Sequence, residues 1–256
     1  MLTFTGSAGG DAGNVLLLHA FPVSADMWEH QLAPLAESGY RVIAPYVYGF
    51  DTSPSRPGWS MDDYAHDLAR LIRALGWSSA TVVGLSMGGY QAMAFYRLYP
   101  ELTDSLVFCD TRANADAPEA LAARQEFRTV VMEKGAGEAA ARMVPNFFAP
   151  ETYESNEPLV EKTRQSILRQ TPEAISEAMR AIAEREDSTE LLNEITCPTL
   201  IINGMDDKVT PPETAAEMHA LIPGSKLELI PDAGHLSNLE QPAMFNGILL
   251  EHLRGL

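Results

Sequence analysis

The stretch Thr81-Val82-Val83-Gly84-Leu85-Ser86-Met87-Gly88-Gly89-Tyr90 places G-x-S-x-G where an apolar, β-rich run meets a segment of helical spacing. That is the setting in which a serine is presented on a sharp strand-to-helix turn, and small residues at Gly84 and Gly88 fit it because a side chain at either would collide with the turn. The bland alternative is a glycine-rich turn at a tight strand–helix contact. A serine hydroxyl is a poor nucleophile at its ordinary pKa, so it needs a base within hydrogen-bond reach and a third group to orient that base. Of the six histidines, His30 and His66 fall inside expected helices, and His219 and His252 lie on late helices among polar neighbours; the surface is favoured for all four. His235 differs. It sits in Ile230-Pro231-Asp232-Ala233-Gly234-His235, just past the last β-rich run, on the sheet edge where sites gather. Three aspartates follow strand-like runs on that same edge: Asp206 and Asp207 after Leu200–Gly204, and Asp110 after Leu106–Cys109. Spacing alone does not choose among them, and the spare ones are expected to cap loops or carry solvated charge. The chain order Ser, Asp, His is one of the known orders for an acyl-transferring triad, and differs from those of the chymotrypsin and subtilisin types.

An oxyanion needs donors as well as a nucleophile. Leu16-Leu17-Leu18-His19-Ala20-Phe21-Pro22 follows an early strand-like run, and a loop there can aim a backbone N–H at the developing charge. The N–H groups of Phe21 and Met87 are the candidate pair, each such donor being worth about 10²–10³ in rate. His19 reads as a residue that braces this loop, since His235 already supplies the base.

The elements that would hold these groups are legible from periodicity. Apolar β-rich runs recur at Val15–Leu18, Arg41–Ala44, Thr81–Leu85, Ser105–Cys109, Thr199–Asn203 and Lys226–Ile230, with helical spacing at Asp26–Glu37, Met61–Leu75, Met87–Tyr99, Pro212–Leu221 and Gln241–Leu253. Strands alternating with helices predict an α/β fold with a mostly parallel, doubly wound sheet covered on both faces. The alternation fails from about Arg112 to Leu192, where Pro118, Pro145, Pro150, Pro158 and Pro172 punctuate a strandless, helix-spaced segment. Residues 1–111 and 193–256 are therefore expected to form the core, and residues 112–192 a helical cap inserted between strands.

Composition narrows the field further. A chain of 256 residues with 46% hydrophobic and 21% charged residues is globular in character, and its length suits one large domain or one domain with an insertion. Its 35 acidic against 18 basic side chains leave a formal charge of −17, which argues against nucleic-acid and membrane-surface partners. The uncharged run from Ala74 to Tyr96 is interrupted by Gly76, Gly84, Gly88, Gly89 and several hydroxyl side chains, against the reading of a membrane span. Cys109 and Cys197 form no C-x-x-C pair and read as small buried hydrophobes. The start of the chain has no basic, apolar leader pattern, so a cytoplasmic location is expected. Neither a metal nor a cofactor is expected: H-E-x-x-H, a G-x-G-x-x-G opening a helix, and a Walker loop are all missing.

With these residues in hand the chain resembles the α/β-hydrolase family, in particular its small serine esterases, 3-oxoadipate enol-lactonases and cofactor-free haloperoxidases. The likeness rests on His19-Ala20-Phe21-Pro22, Gly84–Gly89, Pro198–Pro211 and Gly234–Pro242. It implies Ser86 as nucleophile, His235 as base and, from the G-x-x-D spacing of Gly204 and Asp207, Asp207 as the triad acid. Ala20 stands where the family usually has glycine, which is expected to tighten the oxyanion loop. The family's D-x-R-G-x-G-x-S stretch, which borders the site in relatives, appears here as Tyr46-Val47-Tyr48-Gly49-Phe50-Asp51-Thr52-Ser53. Serine rather than aspartate at position 86 disfavours a dehalogenase. The expected activity is cleavage of a small-molecule carboxylic ester or lactone through an acyl-enzyme, with Met143, Phe147, Phe148, Val209 and Leu236 lining the substrate site beside Phe21 and Met87. The alternatives are an enol-lactonase or perhydrolase on the same triad, with Arg112 the nearest cation for a carboxylated lactone, or a hydrolase-like receptor with negligible turnover. Oligomeric state is left open.

Overall fold

In the computed structural model, which describes residues 2–7 and 9–256, seven strands form one sheet in the order β1-β3-β2-β4-β5-β6-β7. They are β1 (Phe4–Ser7), β2 (Gly13–Leu18), β3 (Tyr40–Pro45), β4 (Ala80–Leu85), β5 (Thr103–Cys109), β6 (Thr199–Gly204) and β7 (Lys226–Ile230). Every pairing from β3 to β7 is parallel, and only β1 runs antiparallel, against β3. The central strands are buried on both faces, as parallel strands under two helical layers must be, so Leu16, Leu17, Val82, Val83 and Val107 read as continuous apolar runs. The edge strand β1 escaped the sequence reading because it is four residues long and alternates exposed with partly buried positions.

The covering helices are α1 (Glu29–Glu37), α2 (Met61–Ala74), α3 (Met87–Leu98), α10 (Pro212–Leu221), α11 (Ser237–Glu240) and α12 (Pro242–Arg254). The expected helix at Asp26 begins instead as a 3₁₀ turn, Ala25–Trp28, capped by the Ser24 side chain. At the start of α2, Ser60 Oγ accepts the Asp63 N–H at 3.1 Å while Asp63 Oδ2 accepts the Ser60 N–H at 3.0 Å, a reciprocal cap that fixes where the helix begins. Its buried face carries Tyr64, Leu68, Leu71 and Ile72 against the sheet.

Between β5 and β6 the chain forms α4 (Pro118–Lys134), α5 (Ala136–Met143), α6 (Pro150–Ser155), α7 (Glu157–Leu168), α8 (Pro172–Ala183) and α9 (Thr189–Leu192), with no strand. Pro118, Pro150, Pro158 and Pro172 sit in the first two positions of their helices, where a missing N–H costs nothing. No helix among the described residues is long and apolar enough to cross a membrane; the uncharged run from Ala74 to Tyr96 is divided between β4 and α3.

Register brings the ends of five strands to one edge. Leu18 of β2 stands beside Gly84 of β4, Leu85 beside Cys109 of β5, Cys109 beside Ile202 of β6, and Gly204 beside Ile230 of β7. The loops that carry Phe21, Ser86, Asp110, Asp207 and His235 therefore all open on the same side.

Candidate active site

Ser86 is the residue between β4 and α3, with φ 55° and ψ −113°. A left-handed φ on a non-glycine residue costs of order 1–3 kcal/mol and persists only where the surroundings enforce it. Here they do. A Cβ at Gly84 would lie 2.2 Å from the Gly88 carbonyl oxygen, and one at Gly88 would lie 2.1 Å from that of Leu18, so both flanking positions must be bare for the turn to close against β2. The Ser86 N–H is anchored on the Cys109 carbonyl at 2.9 Å, and the Ser86 carbonyl accepts the Thr111 hydroxyl at 2.8 Å.

From that perch the Ser86 hydroxyl lies 2.9 Å from His235 Nε2, and His235 Nδ1 lies 2.8 Å from Asp207 Oδ2. With Nδ1–H donating to the carboxylate, Nε2 is left as the acceptor for the serine proton. Asp207 is itself saturated: the Val209 and Thr210 N–H groups donate to Oδ1 at 2.7 and 3.0 Å, and the Thr210 hydroxyl donates to Oδ2 at 2.6 Å. Burial alone would raise the Asp207 pKa, but His235 and these donors outweigh it and hold the carboxyl below its ordinary range. Burial would likewise lower His235, and the Asp207 charge overrides it, leaving the imidazole above its ordinary value. His235 is fixed from the inserted segment as well: its backbone N–H donates to the Phe147 carbonyl at 2.8 Å, and the Phe147 ring stacks on the imidazole at 5.9 Å.

The profile of the family described as alpha/beta hydrolase fold matches residues 13–242 of this chain. The chain belongs to the alpha/beta hydrolase family. It is 30% identical to 3-oxoadipate enol-lactonase 1 of Acinetobacter baylyi over 252 residues, 95% of this chain and 85% of that protein. A thermophilic esterase from Thermogutta terrifontis, solved with malate bound, is 40% identical and superposes with a TM-score of 0.95 over 99% of this chain and 93% of its own. A bromoperoxidase from Bacillus anthracis is 26% identical, with a TM-score of 0.86 over 99% and 94% of the two chains.

In this hydrolase the three candidate acids are separated by their surroundings. Asp206 is exposed, while Asp207 is 4% and Asp110 1% exposed. Asp110 accepts the Gly204 N–H at 2.8 Å and the Ser237 hydroxyl at 2.5 Å, and burial together with the nearby Asp207 charge pushes its pKa well above the carboxylate range. It ties the β6 turn to the loop after His235 without reaching the imidazole nitrogen that Asp207 occupies. His19 donates from Nδ1 to the Ala20 carbonyl at 2.9 Å and accepts the Val47 N–H on Nε2 at 3.1 Å. Burial pushes it down to about 4, so it is a neutral brace for the Phe21 loop. Ala20 lies outside the left-handed region and is fully buried; its methyl is accommodated without demanding glycine.

A cavity of about 60 Å³ stands over Ser86. Ser86 and His235 border it, together with Phe21, Met143 and Val209 from the sequence reading. Met87, the first residue of α3, has a buried side chain and an N–H with no acceptor in its own helix, aimed from the same turn as Ser86. Four expected lining residues, Met87, Phe147, Phe148 and Leu236, are not on the wall. Phe148 is buried against Tyr153, Leu236 is fully buried, and Phe147 contacts His235 from behind rather than the cavity. The reason is the inward turn of residues 144–149, whose Phe147 carbonyl takes both the His235 and the Leu236 N–H and so directs the aromatic rings into packing. Tyr90, Ile182, Thr210, Arg112 and Arg124 line the cavity instead; Tyr90 stands one turn after Ser86 and Thr210 three residues after Asp207, spacings that could have nominated both. No residue of the Tyr46–Ser53 loop reaches the wall; Val47 and Phe50 support His19, and the Asp51 N–H donates to Gln170 of the inserted segment at 3.0 Å. Two other readings also change. His252 is buried, with Nε2 2.7 Å from the Ser105 hydroxyl, and Cys197 is only partly buried.

A larger cavity, about 220 Å³, lies elsewhere, between α1 and α7, and has no nucleophile paired with a base on its wall. Among the described residues no cluster of three or more His, Cys, Asp or Glu side chains is arranged to hold a metal ion.

Proposed function

We propose that the protein is a serine carboxylic-ester hydrolase that cleaves small esters or lactones through an acyl-enzyme. The observation that carries this reading is the unbroken chain of hydrogen bonds from Ser86 through His235 to Asp207 at the mouth of a cavity. His235 Nε2 takes the hydroxyl proton as Ser86 Oγ attacks the carbonyl carbon, and Asp207 stabilises the imidazolium that results. The Phe21 and Met87 N–H groups hold the oxyanion, His235 returns its proton to the departing alkoxide, and water then releases the acyl group by the same steps. Esterase and enol-lactonase relatives are consistent with this chemistry. The test is a panel of p-nitrophenyl esters of increasing acyl length run beside an enol-lactone. At least one short-acyl ester is expected to turn over in the usual enzyme range of roughly 1–10³ s⁻¹; tight binding of a small molecule without turnover across the panel would mark a receptor instead.

The reading also makes a pH forecast. The base must be neutral to accept a proton, and His235 is held above the ordinary histidine value of 6.5. kcat/KM is therefore expected to rise with pH along an acid limb whose midpoint lies above that value, and to be lost as pH falls through it. A profile already flat well below pH 6.5 would contradict the assignment of His235 as base.

A second reading, an enol-lactonase type acting on carboxylate-bearing lactones, is favoured by one observation. Arg112 and Arg124 both border the cavity, and with Arg185 they converge on a single carboxylate, Asp116. Three guanidinium groups around one acid leave positive charge in surplus beside Ser86, despite the −17 of the whole chain, because salt screens the diffuse charge over about 8 Å and screens a local, partly buried cation much less. The two readings separate on a matched neutral and carboxylated pair. Under the first, the neutral substrate has the higher kcat/KM and Arg112→Ala changes the preference little. Under the second, the carboxylated one wins and Arg112→Ala selectively removes its advantage, by about 1.5–3 kcal/mol as for a hydrogen bond to a charged group.

A further inference from the structure

One residue is common to the walls of the reaction cavity and of a second space. Tyr90, on α3 one turn beyond Ser86, lines both the cavity of about 60 Å³ at the nucleophile and another of about 140 Å³ behind it. The rear cavity is walled by Ser60 and Asp62 at the start of α2, by Arg97 on α3, and by Glu184 and Ser188 beyond α8. Tyr90 is 8% exposed and is pinned in place. The Arg185 guanidinium lies 4.2 Å from its ring centroid, and that guanidinium is itself tied to Asp116 at 2.9 Å and to the Ile182 and Asn114 carbonyls at 2.7 Å each. A cation over a ring, with both terminal amino groups hydrogen-bonded to the protein, holds both partners. The partition is therefore rigid rather than a swinging side chain.

We infer that Tyr90 sets the length of the acyl group the enzyme accepts, by closing the reaction cavity off from the space behind it. The inference rests on the acyl-transfer reading of Ser86. In that reading the leaving alcohol faces His235, which returns a proton to it, and His235 follows β7, on the far side of β5 and β6 from Ser86. The acyl chain then extends the other way, toward the α3 wall where Tyr90 stands. A cavity of about 60 Å³ suits a short acyl group such as acetyl or propionyl better than a hexanoyl one. Removing the ring would join the two cavities and more than triple the space.

The experiment compares kcat/KM for p-nitrophenyl acetate and hexanoate on the wild type, Tyr90→Phe, Tyr90→Leu and Tyr90→Ala. The hexanoate-to-acetate ratio is expected to rise about tenfold or more in Tyr90→Ala, and by less in Tyr90→Leu, in line with the usual discrimination of a pocket against added methylenes. Tyr90→Phe keeps the ring and is expected to keep the wild-type ratio. Since Tyr90→Ala also strips Arg185 of its stacking partner, Tyr90→Leu carries the test should the alanine variant not fold. A ratio that stays at the wild-type value in a variant that still cleaves acetate overturns the inference while leaving the esterase reading intact. Hexanoate binding by calorimetry needs no turnover and decides the matter even if no ester is cleaved. Tighter binding of hexanoate, but not of acetate, to Tyr90→Ala or Tyr90→Leu supports the role of the ring, and unchanged affinities reject it.

Discussion

Replacing Ser86 by alanine is expected to lower kcat for ester cleavage by about 10⁶-fold, the loss that follows when the nucleophile of an acyl-transfer triad is deleted. The protein is expected to stay folded, because what forces the chain through the turn at residue 86 is the close approach of Gly84, Gly88 and Leu18 and not the serine hydroxyl. An organophosphonate or sulfonyl fluoride should in turn label the wild type once per chain, on Ser86, and abolish activity in proportion. The hydroxyl is activated only where His235 Nε2 lies 2.9 Å away. Intact-mass measurement and peptide mapping read the outcome. Labelling at a different serine, or an undiminished rate in Ser86→Ala, would remove the acyl-enzyme mechanism altogether.

The next largest effect concerns the acid. Asp207→Asn should lower kcat by about 10⁴-fold, because an amide opposite Nδ1 no longer holds the tautomer that leaves Nε2 free and no longer stabilises the imidazolium. Asp206→Asn should be mild, since that side chain is exposed. Asp110→Asn makes a different forecast. Its carboxyl group meets the Gly204 N–H and the Ser237 hydroxyl in a buried place, so an amide that turns a donor toward the Gly204 N–H should cost about 1–3 kcal/mol of stability with a far smaller loss in rate than Asp207→Asn. Steady-state kinetics and thermal unfolding on the three variants give the ordering. Should Asp110→Asn or Asp206→Asn prove the crippling change, Asp207 is not the acid.

The esterase and enol-lactonase readings share all of this machinery and part only at the cavity wall. There the fold contributes what an open sheet edge cannot: Ile182, Met143 and Arg124 come from helices inserted between β5 and β6. The Glu240 carboxylate joins that insertion to the histidine loop, accepting the Gly234 N–H at 2.6 Å, the Ala149 N–H at 2.8 Å and the Thr152 hydroxyl at 2.6 Å. The part of the insertion next to His235 is thus bound to the loop that carries it and does not form a free lid over it.

The parts of this site that could be read in the chain are those governed by local rules. Strand-length apolar runs alternating with helical spacing imply a parallel sheet, and the bare glycines on either side of Ser86 imply a turn that only close backbone contact requires. His235 was distinguishable because, apart from His19 in the loop after β2, it alone among the histidines sits in a loop that follows a strand, and the prolines of the insertion mark helix starts because a proline nitrogen has no proton to leave unpaired. The remainder depends on contacts between segments far apart in the chain. Spacing left Asp110, Asp206 and Asp207 equal, and although the family resemblance pointed to Asp207, it is the packing of the β6 turn that leaves Asp206 in solvent and sets Asp207 2.8 Å from an imidazole 28 residues away. The aromatic pair Phe147 and Phe148 looked like pocket lining by type, yet the carbonyl between them and the sheet was needed by the His235 N–H, so the rings were turned into packing. His252 went inside for a similar reason, its Nε2 meeting Ser105 on β5, 147 residues earlier. Arg185 reaches Asp116 across 69 residues and Tyr90 across a greater span. Residue type specifies what such a side chain can do, but a long-range contact is set by the sheet register that brings the two segments together, and no local pattern encodes that register.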